Sequence, residues 1–87
     1  MYYITIFCVF IGYDVVIENK KETCARKYQL YVKPNHNKEK CQEKCDDNSE
    51  CMFFFNTDNG WCTLYKECVE KRIPGLPGTT YKKNQGI

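Results

Sequence analysis

Eighty-seven residues make one domain at most, and a chain this short buries too little apolar surface to be stable without added help. Seven cysteines put it at the density of a disulfide scaffold, which argues for an oxidising compartment over a glutathione-reduced one. Thirteen Lys and Arg against eleven Asp and Glu leave a net charge of +2 with the signs interleaved, far from the basic footprint of a nucleic-acid binder.

The chain opens on "MYYITIFCVFIG", an apolar and aromatic run too short to span a bilayer as a helix. Two readings stand. As the apolar region of a secretory signal it lacks a preceding Lys or Arg and a small-x-small cleavage site. As a retained strand it has suitable β-branched and aromatic content and continues into "YDVVIE". Cys8 follows the choice: it is lost with a signal, leaving six cysteines, or it stays as a buried or intermolecular thiol. The chain therefore divides into an apolar N-terminal segment, 1–17, a domain, 18–83, and a short tail, 84–87.

After a polar stretch, "YQLYVK" alternates like a short strand that Pro34 ends. A helix is predicted from Lys38 to about Asp47, capped by Asn35 or Asn37. Within it Cys41 and Cys45 stand four apart, on one face and one turn from each other. "CMFFFN", "TDNG" and "WCTLY" then read as strand, turn and strand, with Asn59-Gly60 as the hairpin signal. An even-numbered loop puts Cys51, Phe53, Phe55, Cys62 and Leu64 on the face that the helix covers. A three-residue loop would instead send Cys62 to the side opposite Cys51. In the even case Met52, Phe54, Trp61, Thr63 and Tyr65 line the other side. They form the candidate binding face unless another strand, the "RIPGLPG" loop or the N-terminal segment covers them.

Residue chemistry offers little else. Zinc sites favour C-x2-C pairs with histidines or a second pair, whereas this chain has C-x3-C and one histidine, His36. His36 would also be the only base for a cysteine nucleophile, and in "PNHNK" it reads as a solvated turn residue. Ser49 is the only serine and lacks partners for hydrolase chemistry. Asp46, Asp47 and Asn48 suit the solvated end of a helix and a turn better than a calcium loop. "IPGLPG" has prolines where a phosphate loop needs donor amides. The basic residues of "KYQLYVKPNHNKEK" and "YKK" suit a solvated surface better than a sulfated-glycan site. No catalytic residue, metal ligand or cofactor is expected.

The run "CQEKCDDNSECMFFFNTDNGWCTLY" resembles the core of the PAN/apple family: C-x3-C on a helix, a third cysteine soon after, an aromatic strand, and a return ending in C-x-L. The resemblance covers about Cys24 to Tyr81. It implies that Cys45 bonds Cys51 and Cys41 bonds Cys62, with an outer bond between Cys24 and Cys68. Cys68 lies six residues beyond Cys62, closer than the last cysteine of an apple domain. Closing loops of about 7, 22 and 45 residues contributes about 2.4, 3.4 and 4 kcal/mol, each taken singly. Such terms rival the stability of a whole small domain.

The expected fold is thus α+β, a small disulfide-rich domain with one helix packed on an antiparallel sheet, PAN/apple-like. The resemblance implies a secreted or cell-surface module without catalysis that binds a protein or a carbohydrate in adhesion, as a subunit of a larger extracellular assembly. A self-associating or filament-decorating structural protein is the alternative, and a small secreted inhibitor or toxin a weaker one. No nucleic-acid partner and no membrane span are expected.

Overall fold

Residues 12–20 and 22–84 are described by the computed structural model; residues 1–11, and with them the state of Cys8 and the choice between signal and strand, lie outside the described residues. Seven strands and one helix follow in the order β1 (Gly12–Lys20), β2 (Thr23–Cys24), β3 (Gln29–Lys33), α1 (Lys38–Asp46), β4 (Phe53–Thr57), β5 (Cys62–Tyr65), β6 (Lys71–Arg72) and β7 (Gly78–Asn84). Five of the strands form one antiparallel sheet in the order β1-β7-β4-β5-β3, and β2 pairs with β6 in a two-residue ribbon. The protein is a small disulfide-rich α+β domain, one helix on an antiparallel sheet. Strand β1 runs across the 17/18 division and pairs with β7 as far as Asn84, so residues 12–17 and Asn84 belong to the same sheet as the rest of the domain.

Helix α1 starts where the side chain of Asn37 can cap it. Asn37 Oδ1 accepts the backbone N–H of Lys40 at 2.8 Å, satisfying one of the orphan donors of the first turn. Asn35, the other candidate, takes a left-handed conformation (φ 64°) in the turn behind Pro34. The helix has no apolar stripe: its only buried side chains are Cys41 and Cys45. Nine residues are marginal as an isolated helix. Covalent bonds therefore hold α1 to the rest of the domain where a larger protein would use leucines.

Three disulfides join Cys24 to Cys68, Cys41 to Cys62 and Cys45 to Cys51, the pairing that the family resemblance implies. Their Cα–Cα separations of 4.9, 5.5 and 5.2 Å lie in the usual range. On the helix side of the sheet, Phe54 is fully buried between Tyr13, edge-on at 5.0 Å, and Tyr81, stacked at 4.6 Å, with Cys62 and Leu64 beside it. Two polar contacts fasten the helix C-terminus to this sheet. The buried Lys83 ammonium donates to the Cys45 carbonyl at 2.9 Å, where the helix dipole favours a cation. The Tyr13 hydroxyl donates to Asp46 at 2.6 Å. Burial first, then the hydrogen bond and the charge of Asp46, push the Tyr13 phenol well above its ordinary pKa.

The hairpin corrects the expected face assignment. Phe54 pairs with Leu64 and Asn56 with Cys62, while Thr57 N–H donates to the Trp61 carbonyl at 3.0 Å. The loop is thus the three residues Asp58 to Gly60, the odd case. Thr57 builds it: its hydroxyl accepts from the Trp61 N–H at 2.8 Å and donates to Asn59 Oδ1 at 2.6 Å. Gly60 supplies the positive φ, 98°, that such loops need in their last residue. The odd loop turns β4 over relative to the expectation. Phe54 goes to the helix side, and Phe53 and Phe55 go to the other side with Thr63 and Tyr65. Cys51 still reaches the helix because it precedes β4. It sits in the turn that its N–H closes onto the Asn48 carbonyl at 2.9 Å, outside the strand's alternation.

The second side of the sheet is covered from within the chain. The β2-β6 ribbon and its Cys24–Cys68 bond lie over Phe55 and the fully buried Tyr65. Arg72 ties the ribbon down, donating from Nε to the Cys24 carbonyl at 3.1 Å and from Nη2 to the Tyr65 hydroxyl at 3.2 Å. Thr23 and Thr80 share a buried hydroxyl contact of 3.0 Å.

Gly78 sets how closely β7 approaches β4. A methyl group there would stand 2.6 Å from the Asn56 carbonyl oxygen and 2.8 Å from Thr57 Cα. Both are backbone atoms of a strand held on two sides, so neither can give way cheaply. Gly78→Ala should cost about 1–3 kcal/mol. The check is a lower urea midpoint with an unchanged m value.

Candidate functional site

The five residues of the candidate binding face do not share a surface, and that assignment is corrected. Phe54 and Tyr65 are fully buried on opposite sides of the sheet, Phe54 under the helix and Tyr65 under the ribbon. Met52 is half-buried beside Asp14, Lys82 and Lys83, away from the others. Thr63 and Trp61 remain together, and they lie on a groove of about 180 Å3.

The groove follows from the pairing of the strands. Val32 on β3 stands opposite Thr63 on β5, which stands opposite Phe55 on β4, so these three make one row of the sheet surface. Trp61, paired across the loop with Thr57, extends the row towards the hairpin end. The facing wall is the segment after β6, Pro74, Gly75 and Leu76. Arg26, on the 3-10 turn Arg26–Tyr28, and Arg72, on β6, complete the rim. Trp61 keeps 39% of its surface exposed here, and Val32 and Leu76 keep 38% each. An indole held half in water on a disulfide-braced sheet costs hydrophobic free energy that a partner would recover.

A larger cleft of about 460 Å3 lies at the hairpin loop and the start of α1, lined by Asn35, His36, Asn37, Asn56 and Asn59 among others. Several of its polar groups hold the loops, while Asn35, Lys38 and Asp58 line it as exposed residues. Asn37 Oδ1 caps the helix, Asn59 Oδ1 accepts from Thr57, and Asn56 Nδ2 donates to the carbonyls of His36 and Trp61, both at 2.9 Å. His36 corrects its reading as a solvated turn residue. It is buried, its Nε2 lies 2.9 Å from the Tyr31 hydroxyl, its N–H donates to the Gly60 carbonyl, and its Nδ1 has no partner. A structural bracket between β3 and the hairpin explains this histidine.

The residues considered for other chemistry are also engaged locally or exposed. Asp46 accepts from Tyr13, and Asn48 Oδ1 accepts the Glu50 N–H at 2.9 Å, leaving Ser49 exposed in that turn. Among the described residues no three His, Cys, Asp or Glu side chains cluster as metal ligands would, and no helix is long and apolar enough to cross a membrane.

The sequence pattern missed Phe55, Val32, Leu76 and the two arginines of the groove. Parity of the loop hid Phe55, the long-range pairing of β3 with β5 hid Val32, and the arginines reach the groove from positions 26 and 72. The one available signal was "TDNG", with glycine in the last place of a three-residue loop. Comparison with known proteins finds no matching family model, no matching curated protein and no matching solved structure.

Proposed function

We propose that this domain is a non-enzymatic extracellular binding module of the PAN/apple kind, working through the Trp61 groove as a subunit of a larger assembly. The observation that carries this reading is the half-exposed Trp61 in a groove shared with Val32, Leu76 and two arginines, beside a ribbon that a disulfide and Arg72 hold in place. Tryptophan and arginine are the residues that dominate protein–protein hot spots, and a pre-formed pocket lowers the cost of ordering on binding. Three disulfides suit a secreted or cell-surface setting. The cysteine spacing resembles that of a family of adhesion and recognition domains.

Trp61→Ala should weaken binding to the partner found on an array of extracellular proteins and glycans by about 2 kcal/mol or more. Its melting temperature should stay close to that of the parent, because the indole is partly in water already. Indifference of the oxidised domain to every protein and glycan on the array would overturn the reading.

A self-associating structural protein is the competing reading, and β1 favours it. This strand lies at an edge of the sheet and exposes Val15 and Val16. Two irregularities in its pairing, between Val15 and Ile17 and between Ile17 and Lys20, disturb it as a template for a second copy. Size-exclusion chromatography with light scattering separates the two, a clean monomer at millimolar concentration removing self-association.

A further inference from the structure

We infer that the groove takes a segment of a partner protein in which a large apolar side chain stands beside a carboxylate. The inference rests on the reading of this domain as a binding module and adds the chemistry of its partner.

Size and charge carry it. A volume of about 180 Å3 is well below the range of about 300–1,000 Å3 typical of small-molecule sites. It suits the insertion of a single side chain. The surfaces open to that side chain are those of Val32, the Trp61 indole and Leu76, with the nearly buried Phe55, Thr57 and Thr63 beneath them. Two guanidiniums, Arg26 and Arg72, stand on the rim, and no acidic residue lines the groove. Among the described residues neither arginine has a carboxylate partner, and the bonds that Arg72 makes run to a carbonyl and a phenol.

A guanidinium fastened by neutral acceptors keeps its full charge and its remaining donors for a ligand. Beside an apolar floor that excludes water, its hydrogen bond to a carboxylate is about twice as strong as one between neutral groups. Arg72 is pre-positioned by Cys24 and Tyr65, whereas Arg26 is exposed and closes the contact from the other rim. The exposed Trp61, Val32 and Leu76 surfaces beside the arginines match an apolar side chain next to a carboxylate, which favours an acidic peptide over a polyanionic glycan.

Trp61 is the only tryptophan, so its emission reports the groove directly. The experiment selects a displayed library of eight-residue peptides on the oxidised domain, with Trp61→Ala as the counter-selection. Affinities are then measured by Trp61 fluorescence, with a heparin-derived oligosaccharide as a separate probe. Recovered peptides, from a library without tryptophan, should carry Asp or Glu next to Leu, Phe or Tyr. Replacing that acid by its amide should weaken binding about tenfold, as should Arg26→Gln in the protein. Arg26 makes no internal hydrogen bond among the described residues that its loss would break, so this variant should fold like the parent. Arg72→Lys, which keeps the charge and loses the fork, should weaken the same peptides.

Recovery of neutral or basic peptides that still need Trp61 would overturn the acidic-partner inference and leave the binding-module reading standing. Equal affinity for acid and amide peptides would overturn it in the same way. A heparin oligosaccharide that shifts Trp61 emission when no peptide does would overturn it in favour of a glycan. Failure of every peptide and of the oligosaccharide would overturn it too, and the array measurement with Trp61→Ala would then decide the wider reading separately.

Discussion

Phe54→Ala should lower the stability of the oxidised domain by about 3–5 kcal/mol, the largest loss expected from any single apolar truncation here. Phe54 is fully buried and fills the space between the rings of Tyr13 and Tyr81, under the helix. Those rings belong to the strands β1 and β7, which are held in register by backbone bonds and cannot close on a void. The cavity cost therefore adds to the lost transfer free energy. A small domain has about 5–15 kcal/mol in total, so the variant should be partly unfolded at 37 °C. Urea denaturation of Phe54→Ala beside Trp61→Ala makes the test sharp. A loss at Phe54 matched by an equal loss at Trp61, or no loss at Phe54, would contradict the placement of Phe54 in the core and Trp61 at the surface.

The second large effect should come from Cys41→Ala combined with Cys62→Ala. The bond it removes closes a loop with a sequence separation of 21, worth about 3.4 kcal/mol by chain entropy. Its local role is greater than that figure suggests. Helix α1 buries nothing but its two cysteines, and its other disulfide, Cys45–Cys51, only ties the helix to the turn that follows it. Without Cys41–Cys62 the helix is left with the contacts of Lys83 and Tyr13 at its C-terminal end and, at its start, with the exposed Lys38 ammonium over the Tyr81 ring at 5.2 Å. Its amides should lose most of their protection from hydrogen exchange, while those of β4 and β7 should keep theirs. Cys45→Ala with Cys51→Ala removes a bond of sequence separation 6, worth about 2.4 kcal/mol, and should leave the N-terminal turn of the helix protected. Helix protection that survives the first pair of substitutions unchanged would show that packing, not the disulfide, holds α1.

The elements that were legible in the sequence are those set by neighbours along the chain. Lys38 to Asp46 forms the expected helix because Asn37 caps it, and spacing of four alone puts Cys41 and Cys45 on one side. The strand ending at Pro34 and the two strands around "TDNG" are likewise where local preferences put them. Parity was the point at which local signals ran out. The same "NG" serves a two-residue loop and the end of a three-residue one, and the hydroxyl of Thr57 decides between them by bonding across the turn. One residue of difference moved Phe54 into the core and Phe55 to the groove.

By itself, then, the sequence determined the class of the molecule: a short chain with too little core, stapled by cysteines, one helix against a β-hairpin. Those properties depend on composition and on contacts only a few residues apart. The tertiary structure alone decided that His36 is buried, that a two-residue ribbon covers Tyr65, and that Arg26 and Arg72 line one groove with Trp61. Each of these joins residues far apart in the chain or reverses a local pattern. Strands of two residues are too short to show any periodicity, and only the cross-linked fold brings their side chains into contact.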